Sequence, residues 1–172
     1  MFSPLSVSVS TEGANLSQVS LAEFMDCPSN LAINRQTRML ANLSLVGCYN
    51  QSAMPEEQRN RIMLQSAKDN LKDMAFFGLT KYQSETQYMF ERTFHLKFLH
   101  DFVQHNETHA SSADISEAQK QKITQINKLD IELYEYARKL FWQRINKMRS
   151  EDKGEKWDGD DNGSGTENHH HK

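Results

Sequence analysis

No stretch of the 172 residues approaches the roughly 20 consecutive apolar residues that cross a membrane, so no spanning helix is expected from this sequence. Nor is one sign of charge in excess: 23 acidic against 20 basic residues give a formal net charge of −3. A general nucleic-acid binder carries a basic surplus. That class is set aside, while a local basic groove for a sulfated or phosphorylated ligand stays open. Cysteine occurs only twice, at Cys27 and Cys48, which excludes a four-thiolate zinc site made by this chain alone. The pair either stays as free thiols or closes one disulfide, worth about 3 kcal/mol in the chain-entropy picture. The opening "MFSPLSVSVSTEG" lacks a basic n-region and serine breaks its apolar pairs, so it is not read as a signal peptide. No Gly-Lys-Ser or Gly-Lys-Thr phosphate-loop triplet is present.

What the chain does contain is organised helically. Residues 1–20 are rich in serine and small residues and read as a disordered N-terminus, and residues 150–172, rich in Gly, Asp and Asn, as a disordered tail. The His169–His171 run in that tail is read as incidental. The foldable part is therefore 21–149. Ser20 with Glu23 three residues on forms a capping-box pattern for a short helix that Cys27-Pro28 ends. In "NLAINRQTRMLANLSLVG", Leu31, Arg35, Met39 and Leu40 share a helical side and Gly47 is a stop. Pro55, Glu56 and Glu57 suit a helix start, followed by an apolar stripe of Met63, Ala67, Leu71 and Met74. Asp114 is the expected cap of a helix over "ISEAQKQKITQIN". A long amphipathic helix follows, with Leu133, Ala137, Leu140, Phe141, Ile145 and Met148 inward and a Glu135–Lys139 pair outside. Asn-x-Ser/Thr triplets stand at Asn15, Asn42, Asn50, Asn106 and Asn162, which favours a secretory-pathway chain and, with it, the disulfide.

"MAFFGL", residues 74–79, breaks the helical pattern. It is a continuous apolar run of strand length, as expected of a strand covered on both faces; a buried helical turn stays open. Ligands in open α/β sheets sit beyond the carboxyl ends of strands. Gly78 and Thr80 stand at that end, and the next helix carries Thr86, Gln87, Tyr88, Arg92 and Thr93. Gln87 and Tyr88 suit a base, while Arg92 and Thr93 suit a phosphate. On the residues alone, a polar face with one Arg is more often merely solvated.

"EFMDCPSNLAINRQTRMLANLSLVGCYN", "QSAKDNLKDMAFFGLTKYQSETQYMFERTFHLKF" and "NKLDIELYEYARKLFWQR" closely resemble the C-terminal part of heparan-sulfate 6-O-sulfotransferases, across about residues 21–147. The resemblance implies an α/β sulfotransferase-like, P-loop-type parent fold, of which this chain would be a mainly α portion with about one or two short strands. It implies a Golgi, lumen-facing membrane enzyme. Such an enzyme transfers sulfate from 3′-phosphoadenosine 5′-phosphosulfate to the 6-hydroxyl of glucosamine in heparan sulfate, without a metal. By motif, the nucleotide contacts fall on Thr86, Gln87, Tyr88, Arg92 and Thr93. Lumenal topology would also suit a Cys27–Cys48 disulfide and glycosylation at Asn50, with Asn42 and Asn106 as further candidates.

The phosphate loop, the catalytic histidine and the membrane anchor of the resembled family have no counterpart in these residues. His95, His100, His105 and His109 lie outside the catalytic motif. Sulfuryl transfer needs a base and cations on the leaving phosphate, so little or no turnover is expected of this chain alone. The partners implied are the donor nucleotide and heparan sulfate; no nucleic acid is expected, and membrane contact only through an anchor outside this sequence. The alternative is an inactive, truncated helical module with a basic face at Lys68, Lys72 and Lys81.

Overall fold

The structure, a computed structural model, describes residues 19–27, 30–48, 50–103 and 114–160, with residues 51 and 154–160 described by backbone alone. Its helices are α1 (Leu21–Asp26), α2 (Arg35–Leu40), α3 (Glu56–Asp73), α4 (Gln83–Phe94), α5 (Glu117–Ile126) and α6 (Lys128–Asp160). Two 3₁₀ turns, Leu43–Val46 and Gln51–Ala53, lie between α2 and α3. The core is built where α3, α6 and the start of α4 meet. Met63, Leu64, Ala67 and Leu71 of α3 pack with Leu129, Leu133, Ala137, Phe141 and Ile145 of α6, joined by Val46, Leu79 and Met89. The expected stripes of both long helices thus supply most of the core, but Leu140 of α6 is half-buried and outside it and Met148 only packs against its edge. Met74 falls after α3 has ended and is 37% exposed.

Local chemistry sets several of the boundaries. The Ser20–Glu23 capping box opens α1. Asn30 then collects the Phe24 carbonyl and the Ala32 N–H at 2.7 and 2.9 Å. α5 is capped by Ser116 with Gln119, not by Asp114: Ser116 stands immediately before the first helical residue, where its hydroxyl meets the Gln119 N–H. Gly47 takes the left-handed conformation expected of a stop, φ 74°. α2 is only six residues long, and Leu31 and Met39 are exposed rather than buried. The late start of α2 lies with Asn34, whose left-handed backbone (φ 50°) blocks an earlier helical turn.

α2 and α6 cap each other. The Asn34 Oδ1 accepts the Leu129 and Asp130 N–H groups at 3.0 and 3.3 Å, at the start of α6. In return the Asp130 carboxylate accepts Gln36 N–H (3.1 Å), Thr37 N–H (2.7 Å) and the Thr37 hydroxyl (2.7 Å), at the start of α2. Four N–H groups at each helix start have no partner within their own helix; here each helix supplies part of the other's need. At the far end of α3, the Arg144 guanidinium donates to the Lys72 and Met74 carbonyls at 2.7 and 2.9 Å. The same group lies 5.2 Å from the centre of the Phe77 ring.

The strand expected over 74–79 does not form, and no strand occurs among the described residues. Residues 74–80 are an irregular link between α3 and α4. Its apolar run is covered on two sides, but by helices. Phe76 meets Phe90 and Phe94 of α4, with centroids at 5.1 and 6.1 Å, and Phe77 meets Phe141 of α6 at 6.2 Å. A strand needs a neighbouring ladder for its backbone bonds, and none of the described segments offers one.

Two further expectations shift. α6 runs to Asp160, past the residue-149 boundary drawn from composition. Glu135 pairs with Arg138 at 2.8 Å rather than with Lys139. Residues 1–18 and 161–172, with Asn15, Asn106, Asn162, His105, His109 and the His169–His171 run, lie outside the described residues. No helix among the described residues is long and apolar enough to cross a membrane.

Candidate functional site

The link 74–80 reaches the start of α4 through one threonine. The Thr86 hydroxyl oxygen accepts the Leu79 N–H at 3.1 Å and donates to the Leu79 carbonyl at 3.2 Å. Its methyl group occupies the space over Gly78: a Cβ added there would stand 2.4 Å from Thr86 Cγ2. Gly78 is thus packed directly against this threonine. Thr80 is exposed, and its carbonyl accepts from the Gln83 amide at 3.0 Å.

The five candidate residues of α4 divide into two groups. Thr86 and Gln87 are buried, 9% and 8% exposed, and each accepts a backbone N–H. Gln87 accepts the Phe102 N–H at 2.7 Å and donates to Glu91 at 3.1 Å. Glu91 also accepts the Phe98 N–H at 2.9 Å. The Phe98 N–H first, and then the Gln87 amide, hold the Glu91 carboxyl below its ordinary 4.5. In this structure the Thr86 and Gln87 side chains are thus bonded within the chain itself. Tyr88 and Arg92, one turn apart, share a half-buried face. Thr93 is half-buried, and its hydroxyl has no hydrogen-bond partner among the described residues.

Tyr88 and Arg92 converge on Asp152 of α6. The Tyr88 hydroxyl donates to one carboxylate oxygen at 2.6 Å, and Arg92 Nη2 reaches the other at 2.6 Å. The Arg149 guanidinium lies 5.7 Å from the Tyr88 ring centre. Burial first, and then the bond to Asp152, push the Tyr88 hydroxyl above its ordinary 10.0. Sequence reasoning missed Asp152 and Arg149, although a signal was there. The core stripe of α6 runs Phe141, Ile145, Met148, and its next position is 152, where an acid stands in place of an apolar residue.

Elsewhere, a groove of about 900 Å³ lies between α2, the start of α3 and the α5–α6 junction, apart from the α4 face. Its rim mixes Arg38, Arg61 and Lys128 with Glu56, Glu57 and Glu132. Lys68 and Lys81 of the weighed basic face lie over the rings of Tyr136 and Tyr82, at 5.8 and 6.0 Å. Cys27 and Cys48 are exposed free thiols, so the disulfide is not made in this structure. Asn42 and Asn50 are exposed, each turned back to accept the N–H two residues on, Ser44 at 3.2 Å and Ser52 at 3.1 Å. No cluster of three or more metal-ligating side chains occurs among the described residues.

The family model described as "Sulfotransferase family" matches residues 11–137, and the chain belongs to that family. Among its relatives is the chicken (Gallus gallus) protein named heparan-sulfate 6-O-sulfotransferase 2, 59% identical over 140 residues, which are 81% of this chain and 35% of the relative. The mouse (Mus musculus) heparan-sulfate 6-O-sulfotransferase 3 is 60% identical over 134 residues, 78% of this chain and 28% of the relative. The human (Homo sapiens) heparan-sulfate 6-O-sulfotransferase 1 is 55% identical over 138 residues, 80% of this chain and 34% of the relative. The chain thus spans about a third of the length of these curated relatives. The resemblance drawn from the three sequence blocks agrees with these matches.

Proposed function

We propose that this chain is the nucleotide-contacting part of a heparan-sulfate 6-O-sulfotransferase with a P-loop-type parent fold, acting on the lumenal side of the Golgi membrane. The donor is 3′-phosphoadenosine 5′-phosphosulfate and the acceptor is the 6-hydroxyl of glucosamine in heparan sulfate. In the reaction the sulfuryl group passes to the hydroxyl oxygen, a base takes the hydroxyl proton, and the nucleotide leaves as the bisphosphate. Of these tasks, the residues of α4 supply contacts to the nucleotide. The tyrosine ring offers a stacking surface for a base, the guanidinium a partner for phosphate, and the Thr93 hydroxyl a further donor. Thr86 and Gln87 serve the site by fixing the backbone on either side of it. No base is assigned within the chain, and no metal is assigned to the site.

The observation that carries this reading is the meeting of Tyr88 and Arg92 on one half-buried face of α4, within a segment matched block by block to relatives named for this activity. Two measurements test it. Titration of the purified chain with 3′-phosphoadenosine 5′-phosphate should show saturable binding that Arg92→Ala weakens. Incubation of the chain with labelled donor and N-sulfated heparan sulfate should give little or no 6-O-sulfated disaccharide, because the base and phosphate loop belong to the rest of the domain. Absence of nucleotide binding would remove the α4 site; brisk 6-O-sulfation would remove the division of labour.

A further inference from the structure

Asp152 has no role in the reading above, yet both presented polar groups of α4 end on it. Tyr88 meets one of its carboxylate oxygens and Arg92 the other, both at 2.6 Å. The two partners sit at i and i+4 on one helix, so a single carboxylate from another helix fixes both rotamers. A tyrosine and an arginine left to solvent would sample several rotamers each and lose that entropy on meeting a ligand. The carboxylate also lowers the local positive charge without cancelling it. Arg92 stands against Asp152, and a second guanidinium, that of Arg149, lies over the Tyr88 ring. The Arg92 and Asp152 side chains are 30% and 34% exposed, so an anion can approach the pair.

We infer that Asp152 is a positioning residue for the nucleotide, holding Tyr88 and Arg92 in the arrangement that receives a phosphorylated adenosine. The inference rests on the nucleotide site proposed for α4. It adds α6, and a residue beyond the core, to what that site requires. The opposite role, a carboxylate that competes with the incoming phosphate for Arg92, makes the opposite prediction.

The test is calorimetric titration of the whole chain with 3′-phosphoadenosine 5′-phosphate, comparing wild type, Asp152→Asn and Asp152→Glu. Asp152→Asn keeps the shape and removes the charge that holds Arg92. We expect it to weaken binding by about tenfold or more, the scale of a lost charge-assisted hydrogen bond. The thermal midpoint should hardly change, because a partly exposed ion pair adds little to stability. Asp152→Glu restores the carboxylate and should recover most of the affinity, which a purely structural loss would not. Equal or tighter binding by Asp152→Asn overturns the positioning role and leaves the α4 site standing. Equally weak binding by both variants overturns it too, because the carboxylate then does not matter. No binding by wild type removes the α4 site, and the role of Asp152 with it.

Discussion

Replacing Asp130 by alanine is expected to destabilise the chain by roughly 2–5 kcal/mol. The number follows from the three donors it serves. Two belong to Thr37, which is wholly buried, with N–H and hydroxyl each 2.7 Å from the same oxygen. Neither can turn to water when the carboxylate goes, and an unsatisfied buried donor costs about 1–3 kcal/mol. The third, the Gln36 N–H at 3.1 Å, belongs to an exposed residue and can be solvated, so it adds only a few tenths. The favourable placement of an acid in the first turn of α6 is lost as well, about 0.3–1 kcal/mol. The assay is urea denaturation followed by circular dichroism, with a thermal midpoint shift of roughly 5–15 °C as a second readout. The attribution is checked by a double-mutant cycle with Thr37→Val, which removes the hydroxyl at constant shape; coupling of about 0.5–2 kcal/mol is expected. A loss below about 0.5 kcal/mol for Asp130→Ala, or strict additivity in the cycle, would refute the reciprocal cap as a source of stability.

Gly78→Ala should cost about 1–3 kcal/mol, the usual cost of overpacking, since its Cβ would stand 2.4 Å from Thr86 Cγ2. Adding Thr86→Ser, which deletes that methyl and keeps the hydroxyl, should recover part of the loss in the same denaturation assay; no recovery would move the clash elsewhere. Glu91 titrates below its ordinary 4.5 because it accepts the Phe98 N–H and the Gln87 amide. Its contribution is therefore complete above about pH 4.5 and lost as the pH falls through the lower folded value. Hydrogen exchange at the Phe98 amide should accelerate over that window in wild type and show no such step in Glu91→Gln. Tyr88 behaves in the opposite sense, being raised above 10.0 by burial and by Asp152. Its contribution is complete below about pH 10 and lost as the pH rises through the folded value. Ultraviolet titration should find the Tyr88 tyrosinate forming late in wild type, and Asp152→Ala should bring it forward.

The parts of the fold legible in the sequence are those whose cause is local. The Ser20–Glu23 box is a four-residue signal, and the stripes Met63-Ala67-Leu71 and Leu133-Ala137-Phe141-Ile145 each repeat within one helix. The parts misread have distant causes. Whether "MAFFGL" is a strand depends on what lies beside it, and an apolar run reads the same under a sheet or between two helices. α2 begins at Arg35 because Asn34 is bonded to residues 93 to 96 positions away. The last turns of α6, helical to Asp160, lie in a stretch rich in Gly, Asp and Asn that carries no apolar stripe to mark a helix. The same divide runs through the site. Tyr88 and Arg92 were legible as a polar helical face, but Thr86 and Gln87, neighbours in sequence, turn inward to the backbone.

α6 is where these distant causes meet. Asp130, Arg144 and Asp152 each hold one other element: the start of α2, the end of α3, and the presented face of α4. At 1.5 Å per residue they are spaced roughly 21 and 12 Å along one helix. Among the described residues, every buried α6 side chain lies at or before Ile145, so the core and the α4 face depend on different stretches of the same helix. A chain ended after Arg149 should therefore keep its cooperative unfolding transition, because Leu129 to Ile145 and the Asp130 and Arg144 clamps are retained. It should lose affinity for 3′-phosphoadenosine 5′-phosphate to the same extent as Asp152→Asn, because Tyr88 and Arg92 are released in both. If the shortened chain binds as wild type does, α6 ends its work at the core and the α4 face stands by itself. If it unfolds, the last turns of α6 carry stability that the buried residues do not account for.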